Sequence, residues 1–122
     1  MHIRYLVSVG LFLLSAIGYA TENEAGFKVP FQHGLAKNLY EESCASCHGT
    51  WGKGTDKGPP LMHRLYVASH HGDAAFYRAA LSGARAHHWK FGDMEAVPGI
   101  TREKMDRIIP YIRWLQQKNG IQ

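Results

Sequence analysis

The sequence predicts an all-α domain of three or four helices joined by long loops. Three observations carry this expectation. Apolar residues recur at helical spacing in three separate stretches. No stretch alternates apolar and polar residues as a half-buried strand would. Two segments rich in glycine and proline, residues 49–60 and 84–100, separate the helical stretches. Connections of that length are unusual in a small domain unless they have work of their own. Wrapping a flat cofactor would be such work.

The chain of 122 residues opens on an export pattern. Met1-His2-Ile3-Arg4 is a short positive lead, Tyr5 to Ala20 is apolar apart from Ser and Gly, and Gly18-Tyr19-Ala20 places small residues before the polar Thr21-Glu22-Asn23-Glu24. This is the layout of a secretory signal peptide cleaved after Ala20. A helix over residues 5–20 would reach roughly 24 Å, short of the roughly 30 Å hydrocarbon core. Membrane association is therefore expected only if the segment stays uncleaved. Residues 21–32 read as a flexible lead-in and 33–122 as the folded domain. A domain of that size in an oxidising compartment is marginal unless something adds to its core, and two cysteines cannot build a disulfide framework.

The first helix is expected over Gly34 to Ser46, with Leu35 and Leu39 at helical spacing and Ala36 and Tyr40 beside them; Gly49 is placed to stop it. Residues 49–60 hold four glycines and two prolines and form a loop. The Gly49…Gly54 spacing is that of a phosphate-binding loop, but Thr55-Asp56 stands where a Lys-Ser/Thr pair is needed and no strand precedes it. Asp73 is expected to cap the next helix, which Gly83 ends. Thr101 is expected to cap the last one, with Glu103 in its first turn, Ile108, Tyr111, Ile112 and Leu115 on its apolar face and Gly120 past its end. Pro110 removes a backbone donor and crowds the carbonyl of Asp106, so a kink or restart is expected there.

Both cysteines lie in Cys44-Ala45-Ser46-Cys47-His48. This is the C-x-x-C-H pattern of c-type haem attachment. On one helical turn the two thiols project from one face, where they can add across two vinyl groups of a porphyrin, and the next residue, His48, comes beneath the iron. Zinc is a weaker reading, since it needs two more ligands from His70, His71, His87 or His88 and leaves the long loops unexplained. A thioredoxin-like redox pair lacks its βαβ setting, and a plain disulfide stays open.

On these residues the chain resembles the class I c-type cytochromes, small exported monohaem electron carriers, over roughly residues 33–119. The attachment motif is the specific match. Ala36 and Tyr40 stand where that family has a small and an aromatic residue on its first helix. Ile108 and Tyr111 stand where its last helix crosses the first. Gly58-Pro59-Pro60-Leu61 is similar to its G-P-x-L loop. The resemblance implies a cytochrome c-like fold around one covalent haem c and its iron. It implies that the Pro59 carbonyl accepts a hydrogen bond from the Nδ1–H of His48, a contact that orients the ligand and raises its basicity. It also implies a methionine from the loop before the last helix as sixth ligand, and Met94 is the residue so placed.

Other residues are alternatives. His87 or His88 would make a bis-histidine site of lower potential, though such residues more often face solvent or the haem propionates. His70 and His71 are expected to face solvent; the four histidines together could also form a second metal site. Met62 is expected to pack near the porphyrin and Met105 in the core. Trp51 and Trp89 could donate indole N–H groups to propionates or simply pack at the cofactor edge.

With both axial positions filled the expected function is one-electron transfer at the haem edge rather than catalysis, met by transient periplasmic or inner-membrane redox partners. A haem-based sensor or enzyme with a displaceable sixth ligand is the alternative, as is a cytochrome subunit of a larger dehydrogenase. The formal charge of +4 falls to about +3 without Arg4, and the basic residues are scattered, which argues against nucleic-acid binding.

Overall fold

The computed structural model describes Gly26 and residues 28–122. The expected signal segment, residues 1–20, lies outside the described residues. Four α-helices follow in order: α1 (Gly34–Ser43), α2 (Ala45–His48), α3 (Asp73–Ser82) and α4 (Arg102–Lys118). Short 3-10 turns at Phe31–His33, Thr50–Gly52 and Arg64–Tyr66 punctuate the loops. Among the described residues no strand forms, and the bridge between Ala84 and Met94 is isolated. None of the described helices is long and apolar enough to cross a membrane.

Helix α4 is the centre of the fold. Met105, Ile108, Ile109, Tyr111, Ile112, Leu115 and Gln116 are all buried on it, the broad stripe of a core helix. Its start is fixed as expected: the Thr101 hydroxyl accepts from Lys104 N–H at 3.3 Å. Its most extensive contact is with α1. Ala36 and Tyr40 are buried at that crossing, and the Tyr40 and Tyr111 rings meet edge to face with centroids 5.7 Å apart. A small residue beside an aromatic one lets the two backbones approach while a ring fills the remaining space. Helix α3 also packs on α4 but buries only Ala80.

Four local expectations are corrected. Leu35 is exposed, and Leu39 is only partly buried, because Ala36 and Tyr40 occupy the face turned to α4. The first helix does not run unbroken to Ser46: Cys44 leaves helical geometry at φ −127°, and α2 begins after it. Gly72, not Asp73, is the N-cap of α3, with no side-chain capping bond. The Asp73 carboxylate instead accepts from Arg113 Nε at 2.9 Å, while still lying favourably in the first turn of α3. Finally, α4 does not restart at Pro110. The proline is exposed, and buried Ile108, Ile109, Tyr111 and Ile112 around it hold the helix to the core.

Two residues of α4 tie the long 49–72 segment to this frame. Arg113 donates through Nη1 to the Tyr66 carbonyl at 2.6 Å and to Gln116 Oε1 at 2.8 Å, and through Nη2 to the His71 carbonyl at 2.6 Å. Buried Gln116 donates to the carbonyls of Leu61 and Tyr66, both at 3.1 Å. A planar, multidentate guanidinium suits this role, where a lysine would not.

Tyr40 links core to motif. Its buried hydroxyl donates to the Gly49 carbonyl at 2.9 Å, and burial raises its pKa far above the ordinary phenol value. Tyr40→Phe is expected to lower stability by about 1 kcal/mol, measured by denaturant unfolding of the holoprotein.

Candidate cofactor site

Cys44, Cys47 and His48 sit at the α1–α2 junction and line one cavity of about 980 Å³. That is at the upper end of the roughly 300–1,000 Å³ typical of ligand sites. Pro59, Met94, Trp89 and Arg85 share the cavity, and Leu61, Phe76, Ala80, Val97, Met105 and Ile112 give it apolar walls. Cys44 and Cys47 are free thiols, Cys44 half-buried and Cys47 exposed. They are not joined to one another, so the plain disulfide is not formed. Burial, and to a lesser extent Cys47, pushes the Cys44 thiol up to about 11.

The His48 ring is fixed on one side. Its Nδ1–H donates to the Pro59 carbonyl at 2.9 Å. Burial lowers its pKa below the ordinary imidazole value, partly offset by that hydrogen bond. The ring is thus neutral, and with the proton on Nδ1 its Nε2 carries a lone pair. Such a histidine is prepared to bind a metal. The loop that supplies Pro59 is braced against the motif: Thr55 Oγ1 donates to the Cys47 carbonyl at 2.7 Å, Thr55 N–H to the Gly58 carbonyl at 3.0 Å and Lys57 N–H to Thr55 Oγ1 at 3.0 Å. Gly49 closes the turn after His48 at φ +76°, where a Cβ would stand 2.5 Å from the Gly54 carbonyl oxygen.

Met94 comes from the 84–100 loop, and that loop is pinned to the end of α3. Ala84 and Met94 exchange both backbone hydrogen bonds, each at 2.8 Å, and Val97 N–H donates to the Ala80 carbonyl at 2.9 Å. Asp93 Oδ1 accepts from Ala86 N–H at 2.8 Å. Gly83, at φ +82°, makes the turn, and a Cβ there would come 2.6 Å from the Met94 carbonyl oxygen. Gly83→Ala is therefore expected to cost at least about 1 kcal/mol and to displace the Met94 backbone; denaturant unfolding checks the stability loss.

The structure also places the other residues singled out above, some as expected and some not. Trp89 lines the cavity, but its indole N–H is taken by the Tyr66 hydroxyl at 3.1 Å rather than left for a propionate. Trp51 is buried in the core with the Lys37 ammonium 5.7 Å over its ring, and neither it nor Met62 lines the cavity. Met105 is core, and also reaches the cavity wall. His71 is half-buried and faces His87 rather than open solvent. The roles of Arg113 and Gln116 have no local signal in the sequence, because their partners lie as far as 55 residues away.

The donor set fits a covalently held porphyrin. Two thiols and a neutral imidazole stand together on one wall of an apolar cavity large enough for a ligand of that class. An all-helical scaffold with this wall defines a protein that carries covalent haem. The chain belongs to the cytochrome c family: the family model for cytochrome c matches residues 35–116. No curated protein and no solved structure matches it. Membership brings covalent haem c with its iron, for which Cys44 and Cys47 fit the attachment pattern, and the role of a haem-binding electron carrier.

Proposed function

We propose that this chain is a periplasmic cytochrome carrying one haem, with His48 and Met94 as axial ligands, and that it passes single electrons between transient redox partners. The haem, when bound, supplies one-electron exchange between ferric and ferrous iron. The chain's own residues do the rest. Cys44 and Cys47 anchor, His48 binds through Nε2 while Pro59 holds its orientation, and Met94 contributes a soft thioether that favours ferrous iron. The apolar walls exclude water and raise the potential further. The observation that carries this reading is the neutral His48, tied through Nδ1 to Pro59, in one cavity with Met94.

The same N-terminal segment that reads as a signal supports the periplasmic assignment, with residues 33–122 as the mature domain behind the 21–32 lead-in. Periplasmic or inner-membrane oxidases, reductases and dehydrogenases are the expected partners, whether the chain acts free or as the cytochrome subunit of a larger complex. An open or readily displaced sixth position, with His87 or His88 as distal groups, would make it a sensor or enzyme instead. His87 argues against that role, since its Nδ1–H is held by the Arg85 carbonyl at 2.7 Å and its Nε2 faces His71. Mixing ferrous holoprotein with carbon monoxide separates the two readings: the carrier is expected to bind it slowly or not at all, whereas rapid binding would support the sensor.

A further inference from the structure

His70 and His71, in the turn before α3, and His87 and His88, in the loop after it, converge at the rim of the cavity. We propose that these four histidines form a second metal site, distinct from the haem iron, that binds one divalent transition cation of the zinc–copper class. Nitrogen atoms of His70, His71 and His88 lie within 4.8 Å of one another. His87 joins them through His71: the two Nε2 atoms are 3.3 Å apart. His70 Nε2 and His88 Nε2 are 3.2 Å apart. Two ligands of a tetrahedral metal bound at about 2.0–2.1 Å stand roughly 3.3–3.4 Å from each other, so both spacings are those of adjacent ligands on one ion.

The ring protons of His71 and His87 are fixed by their neighbours. His71 Nδ1 lies 2.6 Å from the Leu65 carbonyl, and His87 Nδ1 lies 2.7 Å from the Arg85 carbonyl. A carbonyl only accepts, so both Nδ1 atoms carry the ring proton. In the neutral rings both Nε2 atoms are then bare lone pairs, and they point at each other at 3.3 Å. Two acceptors cannot hydrogen-bond without a cation between them. A single shared proton would satisfy this pair alone, whereas an ion seated among His70, His71 and His88 would also take the lone pairs of His70 and His88. The carbonyl contacts are also the outer contacts that metal-binding histidines characteristically have, fixing tautomer and ring direction.

The turn carrying His71 is anchored independently, since Arg113 holds the His71 carbonyl and Asp73 at the same time. All four donors are imidazole nitrogens, which suit zinc, copper or nickel and not the oxygen-seeking magnesium or calcium. A bound ion would clip the turn at 67–72 to the loop that leads into Met94.

The test is calorimetric titration of chelator-washed holoprotein with zinc, copper(II) and magnesium chlorides, in wild type, His88→Ala and His70→Ala/His88→Ala. Both altered positions are exposed, and far-ultraviolet circular dichroism with the haem absorption spectrum verifies that each variant is folded. One equivalent of zinc or copper is expected to bind, magnesium none, with affinity falling about tenfold or more in each variant. Nitrogen hyperfine structure in the copper electron paramagnetic resonance spectrum would identify copper on imidazoles, and binding of zinc alone would assign the site to zinc. Metal binding of equal strength in wild type and double variant would overturn the proposal, as would no binding of either metal. A haem spectrum that changes as His88 is removed would overturn it too, by placing that histidine on the haem iron.

Discussion

Cys44→Ala/Cys47→Ala is expected to give a colourless chain without a stable fold, even in a host that attaches haem efficiently. The described core is concentrated on α4 and its contacts with α1 and the 50–62 segment. Helix α3 buries Ala80 alone, and nearly all of the 84–100 loop is exposed or half-exposed. What these elements face is the cavity. Leu61, Ala80, Met105 and Ile112 are buried behind that cavity, and Phe76 and Val97 lie half-buried on its wall, where a porphyrin would cover them. A native domain of this size has a net stability of about 5–15 kcal/mol, and truncating one buried large side chain costs about 2–5 kcal/mol. Losing the group that fills an entire wall removes more than the remaining core can supply. Circular dichroism and the visible spectrum of material exported to the periplasm check this together. Cys47→Ala alone is expected to be milder: one thioether remains, the haemochrome band shifts, and stability falls without collapse.

The second large effect is on potential. Met94→Ala is expected to abolish the methionine–iron charge-transfer band, open the ferrous form to carbon monoxide, and lower the reduction potential by on the order of 0.1–0.3 V, a fraction of the roughly 0.8 V range that axial ligands span. The direction follows from the thioether, a soft donor that stabilises ferrous over ferric iron; with it gone, water or a nearby histidine takes the position. Met94→His should fall further and remain closed to carbon monoxide. The fold should survive both changes, because the Met94 backbone bonds to Ala84 do not involve its side chain. An unchanged oxidised spectrum in Met94→Ala would mean that another residue is the ligand. Cyclic voltammetry alongside the spectra reads out the potential directly.

What the sequence makes legible here is chemistry that is local along the chain. Thr101 caps α4 through an atom three residues on, and Ile108, Tyr111, Ile112 and Leu115 share a face because 3.6 residues make a turn. The attachment motif is five consecutive residues. The all-α class follows from the same periodicities. Leu35 shows where such reasoning stops: spacing alone does not say which of two adjacent stripes meets the partner helix, and the smaller Ala36 wins because it allows close approach. Asp73 is similar, since a good capping residue is drawn instead to a guanidinium 40 residues away. Arg113, Gln116 and the Trp89–Tyr66 bond are long-range pairings with no signature in the chain. The four histidines were visible as two pairs, yet only the fold shows that their lone pairs converge.

A porphyrin held by Cys44, Cys47 and His48 is tested most directly by the pyridine haemochrome of purified, exported protein. One haem per chain is expected, with the band position of a two-thioether haem c and still attached after acid–acetone extraction. A colourless but folded protein, or haem that extracts freely, would contradict it.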